Sequence, residues 1–151
     1  MALEKAGRAG ATGPDKAGAL LVTLLQSGRE DAASLVRRLL EMSPEAVHAI
    51  DRNGYSVLHL GIVTGDVALV RTLVAYKADP NVSTPNNLNP PLFFACKSGN
   101  TELVSVILDA NANADHRNAA GDSALMWAAR AGSCDVVLRL LREPIVADNV
   151  D

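Results

Sequence analysis

The hydrophobic positions of this chain follow a pattern that recurs along the sequence. A short apolar segment that contains a leucine is followed seven residues later by a glycine, then by a second apolar segment and a polar loop. The leucines are Leu58, Leu92 and Leu125, and the glycines are Gly65, Gly99 and Gly132. The spacing of about 33 residues between copies is typical of a helical repeat protein.

Each copy predicts two short helices. The first helices are expected to begin near Ser56, Pro90 and Ser123, because serine caps a free amide of the first turn and Pro91 suits the first helical position. The glycines can end these helices because they adopt positive φ at little cost. The second segments place apolar residues at helical spacing, at Val67, Val70, Leu73 and Val74 and again at Leu103, Val104, Ile107 and Leu108. One such pair cannot cover its apolar face alone, so the pairs must stack.

The motifs in these copies resemble those of the ankyrin-repeat family. Residues 56–59 (Ser-Val-Leu-His) and 90–93 (Pro-Pro-Leu-Phe) stand where that family has Thr-Pro-Leu-His, and residues 78–81 (Ala-Asp-Pro-Asn) resemble its Ala-Asp-Val-Asn loop. The resemblance covers residues 51–141 and implies an all-α solenoid of stacked helix-turn-helix units with β-hairpin-like loops. It also implies that His59 hydrogen-bonds loop backbone and ties neighbouring repeats together.

The sequence departs from the family pattern at four positions. Phe93 and Met126 replace the motif histidine, Pro144 replaces a loop glycine, and Ser83 is read as a one-residue insertion. The inter-repeat hydrogen bonds usual in the family are therefore not predicted there.

The pattern divides the chain into five parts. Residues 1–18 are predicted to be a flexible leader, 19–50 an irregular N-terminal capping repeat, and 51–83, 84–117 and 118–151 three repeats, the last of them shortened. The outer helix of the capping repeat is expected to contain Leu35, Val36, Leu39 and Leu40. Residues 145–151 stop where a further repeat would begin, so we expect that more repeats belong to the native chain.

Composition and charge exclude several classes of function. The formal net charge is −3 without a dense basic cluster, which argues against nucleic-acid binding. The longest apolar run, residues 19–25, is too short to span a bilayer. Two cysteines, Cys96 and Cys134, are too few for a secreted disulfide framework, so a reducing location, cytoplasmic or nuclear, is expected.

No group of residues indicates catalysis or metal binding. His48, His59 and His116 lack a spacing suited to a shared metal, and neither cysteine has a base adjacent in sequence. A phosphate-binding glycine motif is also missing. We therefore predict a protein that is not an enzyme and has no cofactor.

The resemblance to ankyrin repeats implies a concave binding face made of loop tips and the exposed side of each first helix. Carried over by position, the tip residues are Arg52, Asn53, Tyr55, Asn86, Asn87, Asn89, Arg117, Ala119, Ala120 and Asp122. The first-helix residues are Val63, Thr64, Lys97, Ser98, Arg130 and Ala131.

Three further residues, Leu60, Phe94 and Trp127, occupy equivalent places on the first helices. Stacking would align them as an apolar stripe near Lys97 and Arg130, and aromatic residues are favoured as binding hot spots. They also fit packing between neighbouring helices, which is the favoured interpretation, and the binding interpretation stays open beside it. Asn81 matches loop asparagines that are hydroxylated in ankyrin proteins, but a hydrogen bond to its own loop backbone is the favoured interpretation.

The predicted function is a protein-interaction module, acting as a monomer on a protein partner. One alternative is an inhibitor-type regulator that masks a transcription factor or a similar partner. Another is the recognition region of a larger enzyme or channel.

Overall fold

The structure, a computed structural model, describes residues 16–142, in which the chain forms eight α-helices and one 3₁₀ helix. The helices are α1 (Lys16–Gln26), α2 (Ala32–Met42), the 3₁₀ helix (Pro44–His48), α3 (Val57–Thr64), α4 (Val67–Ala75), α5 (Pro91–Ser98), α6 (Thr101–Asp109), α7 (Ala124–Arg130) and α8 (Cys134–Leu141). Across these residues β pairing is limited to one isolated antiparallel bridge between Ile50 and Ser56. The all-α prediction is confirmed.

The helices are arranged as four pairs that stack in two layers. The first helices α1, α3, α5 and α7 pack in that order, and so do the second helices α2, α4, α6 and α8. The middle junction lies between the pairs α3/α4 and α5/α6, and the last junction lies between α5/α6 and α7/α8. Each helical pair therefore packs mainly against the pairs that precede and follow it along the chain, as expected for a solenoid.

The local signals in the sequence explain where the first helices begin and end. The hydroxyls of Ser56 and Ser123 each accept a hydrogen bond from the backbone N–H three residues on, and Pro91 is the first residue of α5. The glycines that follow these helices have φ values of 77°, 73° and 74°, in the order Gly65, Gly99 and Gly132. Both predictions are confirmed.

Side chains shared between neighbouring pairs form one continuous core. Leu58, Leu73, Leu92, Leu103 and Ile107 are completely buried. At about 25 cal/mol per Å² of apolar surface, each such side chain contributes roughly 1.5–3 kcal/mol, and it does so only because a neighbouring pair covers it. Stability is therefore collective.

The N-terminal boundary differs from the prediction. Residues 16–18, assigned to the leader, form the first turn of α1, where Ala17 and Gly18 are buried. A Cβ on Gly18 would lie 2.9 Å from the Cβ of Ala49, so the missing side chain lets α1 approach the end of the 3₁₀ helix closely. The other predicted leader residues, 1–15, and residues 143–151, including Pro144, lie outside the described residues.

Candidate functional site

Three loop tips, residues 51–55, 84–89 and 118–122, project from the stack just before α3, α5 and α7. We call these tips, the adjacent Arg117, which donates to the Gly121 carbonyl, and the exposed sides of α3, α5 and α7 the inner face. The third tip closes by a hydrogen bond from the Asn118 N–H to the Asp122 carbonyl, four residues on (3.0 Å). In the second tip the Thr84 N–H donates to the Asn89 carbonyl, five residues on (3.0 Å). The extra residue therefore lies inside the second tip and not at Ser83, the position predicted from the repeat pattern.

Asn89 is not an exposed tip residue, contrary to the prediction. It is 7% exposed, and its side-chain Oδ1 accepts a hydrogen bond from Nδ2 of Asn118 (2.9 Å). Its backbone N–H donates to the hydroxyl of Thr84 (3.1 Å) and its carbonyl faces Nε2 of His59 (2.9 Å). Asn89 thus holds the tip together and is removed from the candidate binding surface.

Leu88 takes its place at the surface and was missed by the sequence reasoning. Leu88 is 45% exposed, and its φ is 57°. This is the left-handed conformation that Gly54 and Gly121 adopt in the other two tips. The glycines at this place in the other two tips are the sequence signal that could have drawn attention to Leu88.

His59 connects two helical pairs by hydrogen bonds at the middle junction. Its Nδ1 accepts from the backbone N–H of Ser56 (3.1 Å), so the proton is assigned to Nε2, which donates to the carbonyl of Asn89 (2.9 Å). The ring is completely buried, and this burial lowers the pKa of His59 although the Asn89 carbonyl opposes the effect. The role implied for His59 by its motif is confirmed.

Phe93 occupies the equivalent position at the last junction and works by ring packing. It is completely buried, and its ring centroid lies 5.2 Å from that of Trp127 and 6.0 Å from that of His116, the latter pair in a T-shaped arrangement. Since a phenyl ring has no hydrogen-bond donor, this junction lacks the polar link, as predicted. The tips supply other bonds there, for example from the Ala119 N–H to the Asn87 carbonyl (2.9 Å).

Most of the remaining candidate residues lie at the surface of the inner face. Tyr55 and Asp122 are half-buried, and Val63 is 72% exposed. The other exposed candidates are Arg52, Asn53, Asn86, Asn87, Lys97, Arg117, Ala119, Ala120, Arg130 and Ala131.

Thr64 and Ser98 are exposed residues whose hydroxyls serve their own helices. Each hydroxyl donates to a backbone carbonyl three residues earlier at 2.6 Å and accepts an N–H two residues later at 3.2 Å. These side chains therefore end α3 and α5 and have little hydrogen-bonding capacity left for a partner.

The predicted stripe is present and is only partly exposed. Leu60, Phe94 and Trp127 are half-buried and pack against the core. The ring centroids of Phe94 and Trp127 are 6.2 Å apart, and Tyr55 packs edge-on against Phe94 at 5.9 Å. These side chains therefore pack against the core and keep part of their surface exposed.

A shallow groove lies beside Trp127 on the inner face. Its volume is ≈ 440 Å³ and its lining residues are Lys97, Trp127, Arg130 and Ala131, all of them candidates from the sequence. The guanidinium of Arg130 makes two 2.8 Å hydrogen bonds to the carboxylate of Asp122. These bonds lower the pKa of Asp122. The buried indole N–H of Trp127 has no acceptor within hydrogen-bonding distance among the described residues.

Comparison with known families agrees with this geometry. A model of a single ankyrin repeat matches residues 53–85, and a model of several ankyrin repeats matches residues 78–150. The chain belongs to the ankyrin-repeat family.

Several relatives share these ankyrin repeats. The E3 ubiquitin-protein ligase XBAT33 of Arabidopsis thaliana is 44% identical over 39% of this chain and 12% of its own length. The nuclear factor NF-kappa-B p105 subunit of Gallus gallus is 30% identical over 77% of this chain and 12% of its own length. The cyclin-dependent kinase inhibitor 2A of Monodelphis domestica is 27% identical over 81% of this chain and 70% of its own length. The chain thus spans about an eighth of the first two relatives.

Asn81 links two successive ankyrin loops. Its Oδ1 accepts from the backbone N–H of Asn113 (2.8 Å), and its Nδ2 donates to the carbonyl of Asn111 (3.2 Å). The favoured interpretation, a side-chain bond within its own loop, is wrong in this respect, because the side chain bonds the loop of the next pair.

The described residues include two free cysteines, of which Cys96 is buried and Cys134 is exposed. Burial raises the pKa of the Cys96 thiol to about 12, so this thiol stays protonated and unreactive. Within the described range no three acidic, histidine or cysteine side chains are grouped so that they could hold a metal ion. Nor is any described helix both long and apolar enough to cross a membrane. Ankyrin-repeat proteins are generally non-catalytic interaction modules.

Proposed function

We propose that this ankyrin-repeat chain binds a protein partner through its inner face, without catalysis. The observation that carries the proposal is the groove at α5 and α7, where exposed cations lie beside a half-buried tryptophan. Aromatic and cationic side chains on a rigid helical surface bury much area on binding at a small entropic cost. The cytoplasmic or nuclear location and the monomeric state remain predictions.

A parallel capture experiment tests this proposal. The full chain, its inner-face variants Val63→Glu and Arg117→Glu, and the outer-helix control Arg38→Glu are immobilised and exposed to the same cell extract. Val63, Arg117 and Arg38 are exposed, so we expect each variant to keep the wild-type circular dichroism spectrum and melting temperature. We expect at least one protein that is retained by the wild type and the control to be lost from both inner-face variants. If every retained protein survives the inner-face changes, the proposal is wrong.

The relatives support two narrower versions of the function. The similarity to cyclin-dependent kinase inhibitor 2A extends over 70% of that protein, which favours an inhibitor-type regulator formed by the repeats themselves. The similarity to XBAT33 covers 12% of that ligase, which favours a recognition region attached to a larger enzyme. Sequencing the complete transcript distinguishes them, because the second version requires an open reading frame that continues into a catalytic domain.

A further inference from the structure

We propose that the groove lined by Lys97, Trp127, Arg130 and Ala131 binds an acidic segment of the partner, with an apolar side chain on Trp127 and a neighbouring carboxylate beside Lys97. This inference rests on the proposed function, since it specifies the partner chemistry that the inner face selects.

The first argument is the uneven distribution of charge. The whole chain carries a formal net charge of −3, yet four cations lie on the inner face, and they are Arg52, Lys97, Arg117 and Arg130. The carboxylates on this face are already engaged. Asp122 is held by Arg130, and Asp51 accepts hydrogen bonds from the backbone N–H groups of Asn53 and Tyr55. With Asp51 and Asp122 counted against the four cations, the inner face keeps a formal excess of two positive charges in a chain that is negative overall. A positive excess of this kind favours an anionic polypeptide.

The second argument is the difference between the two cations of the groove. Arg130 is 63% exposed and is held in place by its two bonds to Asp122, which is 16% exposed. Lys97 is exposed and makes no ion pair within the described part of the chain. The groove therefore offers a carboxylate of the partner the ammonium group of Lys97, unpaired within residues 16–142, and the guanidinium of Arg130, which Asp122 holds in place.

The third argument is the shape of the groove. Ala131 leaves space at the end of α7, and Trp127 offers a partly exposed ring that already packs against Phe93 and Phe94. A ring held by two neighbours loses little conformational freedom when an apolar side chain covers it. The groove thus fits a segment in which an apolar residue stands next to Asp or Glu.

Selection from a random peptide display library tests the inference without prior choice of a ligand. The baits are the full chain, Lys97→Glu and the control Arg38→Glu, which makes the same charge change on α2, outside the inner face. We expect the wild type and the control to enrich peptides in which Asp or Glu flanks an apolar residue. Lys97→Glu should lose this enrichment while keeping its circular dichroism spectrum and melting temperature.

The most enriched peptide is then synthesised and titrated into each protein. Trp127 is the chain's single tryptophan, so its fluorescence reports directly on the groove. We expect a saturable change in the wild type, at least a tenfold weaker affinity for Lys97→Glu, an affinity within twofold of wild type for Arg38→Glu, and weaker binding as salt is added.

The possible failures separate the two proposals. Suppose that the enriched peptides are neutral or basic and that Val63→Glu or Arg117→Glu abolishes their binding. This result overturns the acidic preference and leaves inner-face binding intact. Enriched peptides that bind Lys97→Glu as tightly as wild type, or that leave the Trp127 fluorescence unchanged, overturn the assignment of the groove. If no peptide is enriched and the capture experiment retains no protein that depends on the inner face, both proposals are wrong.

Discussion

The middle and last junctions solve the same packing problem with different chemistry. His59 and Phe93 occupy equivalent positions on α3 and α5, and both rings are completely buried. His59 satisfies backbone groups on both sides, at Ser56 and at Asn89, whereas Phe93 contacts the rings of His116 and Trp127. A ring therefore fills this position at both junctions, while hydrogen bonds made by that ring occur at the middle junction alone of the two.

Removal of the Phe93 ring is the largest change that the comparison predicts. Phe93→Ala leaves a cavity against Trp127 and is expected to lower the free energy of unfolding by about 3–5 kcal/mol. Urea unfolding followed by circular dichroism measures this. Phe93→Leu, which keeps most of the volume, should cost clearly less. Equal costs for the two variants would show that ring packing does not hold the last junction.

Replacement of His59 by Phe gives the middle junction the side chain that Phe93 supplies at the last junction. His59→Phe keeps a ring but leaves the buried N–H of Ser56 without its acceptor and the Asn89 carbonyl with the Thr84 N–H as its remaining donor, so we expect a loss of about 1–3 kcal/mol. The same unfolding measurement applies. A His59→Phe protein as stable as wild type would mean that shape alone matters at both junctions.

The exposed link made by Asn81 is expected to contribute less. Asn81→Ala removes both of its bonds to the next loop and should cost about 1 kcal/mol, because neutral hydrogen bonds near solvent contribute modestly. Asn86→Ala is the matched control, an exposed tip asparagine whose side chain makes no hydrogen bond within residues 16–142. Its effect should stay within about 0.5 kcal/mol. Indistinguishable melting temperatures for the two variants would contradict a role for Asn81 in joining the loops.

The smallest expected effect is a dependence of stability on pH at the middle junction. Burial lowers the folded pKa of His59 below its ordinary value of 6.5, so the unfolded chain binds the proton more readily. The stabilisation is complete above the unfolded pKa and is lost as the pH falls through the folded pKa. As the pH is lowered from 6.5, we expect the urea midpoint of the wild type to decrease more than that of His59→Gln. Parallel pH profiles would contradict this assignment.

The sequence was most informative where a structural signal is local. A serine or proline before a helix and a glycine after it act within one turn, which is why the ends of α3, α5 and α7 could be predicted. The contact between His59 and the next tip was predicted from its motif, because the family resemblance carries information about distant partners.

The errors arose where contacts between distant residues decide the outcome. Asn89 and Leu88 exchange the roles expected from polarity, because the extra residue in the second tip turns the asparagine inward and the leucine outward. Gly18 was assigned to a leader on composition, yet it packs against Ala49, which follows α2 and the 3₁₀ helix along the chain. The contact between Gly18 and Ala49 leaves no trace in the sequence around either residue.

Amide hydrogen exchange tests the central claim, that the stacked pairs present one inner face for binding a polypeptide. The full chain is measured alone and with a saturating amount of the peptide enriched by display. The account predicts slower exchange at the tip 118–122 and in α5 and α7, with the outer helices α2, α4 and α6 unchanged. Slower exchange confined to the outer helices would contradict it.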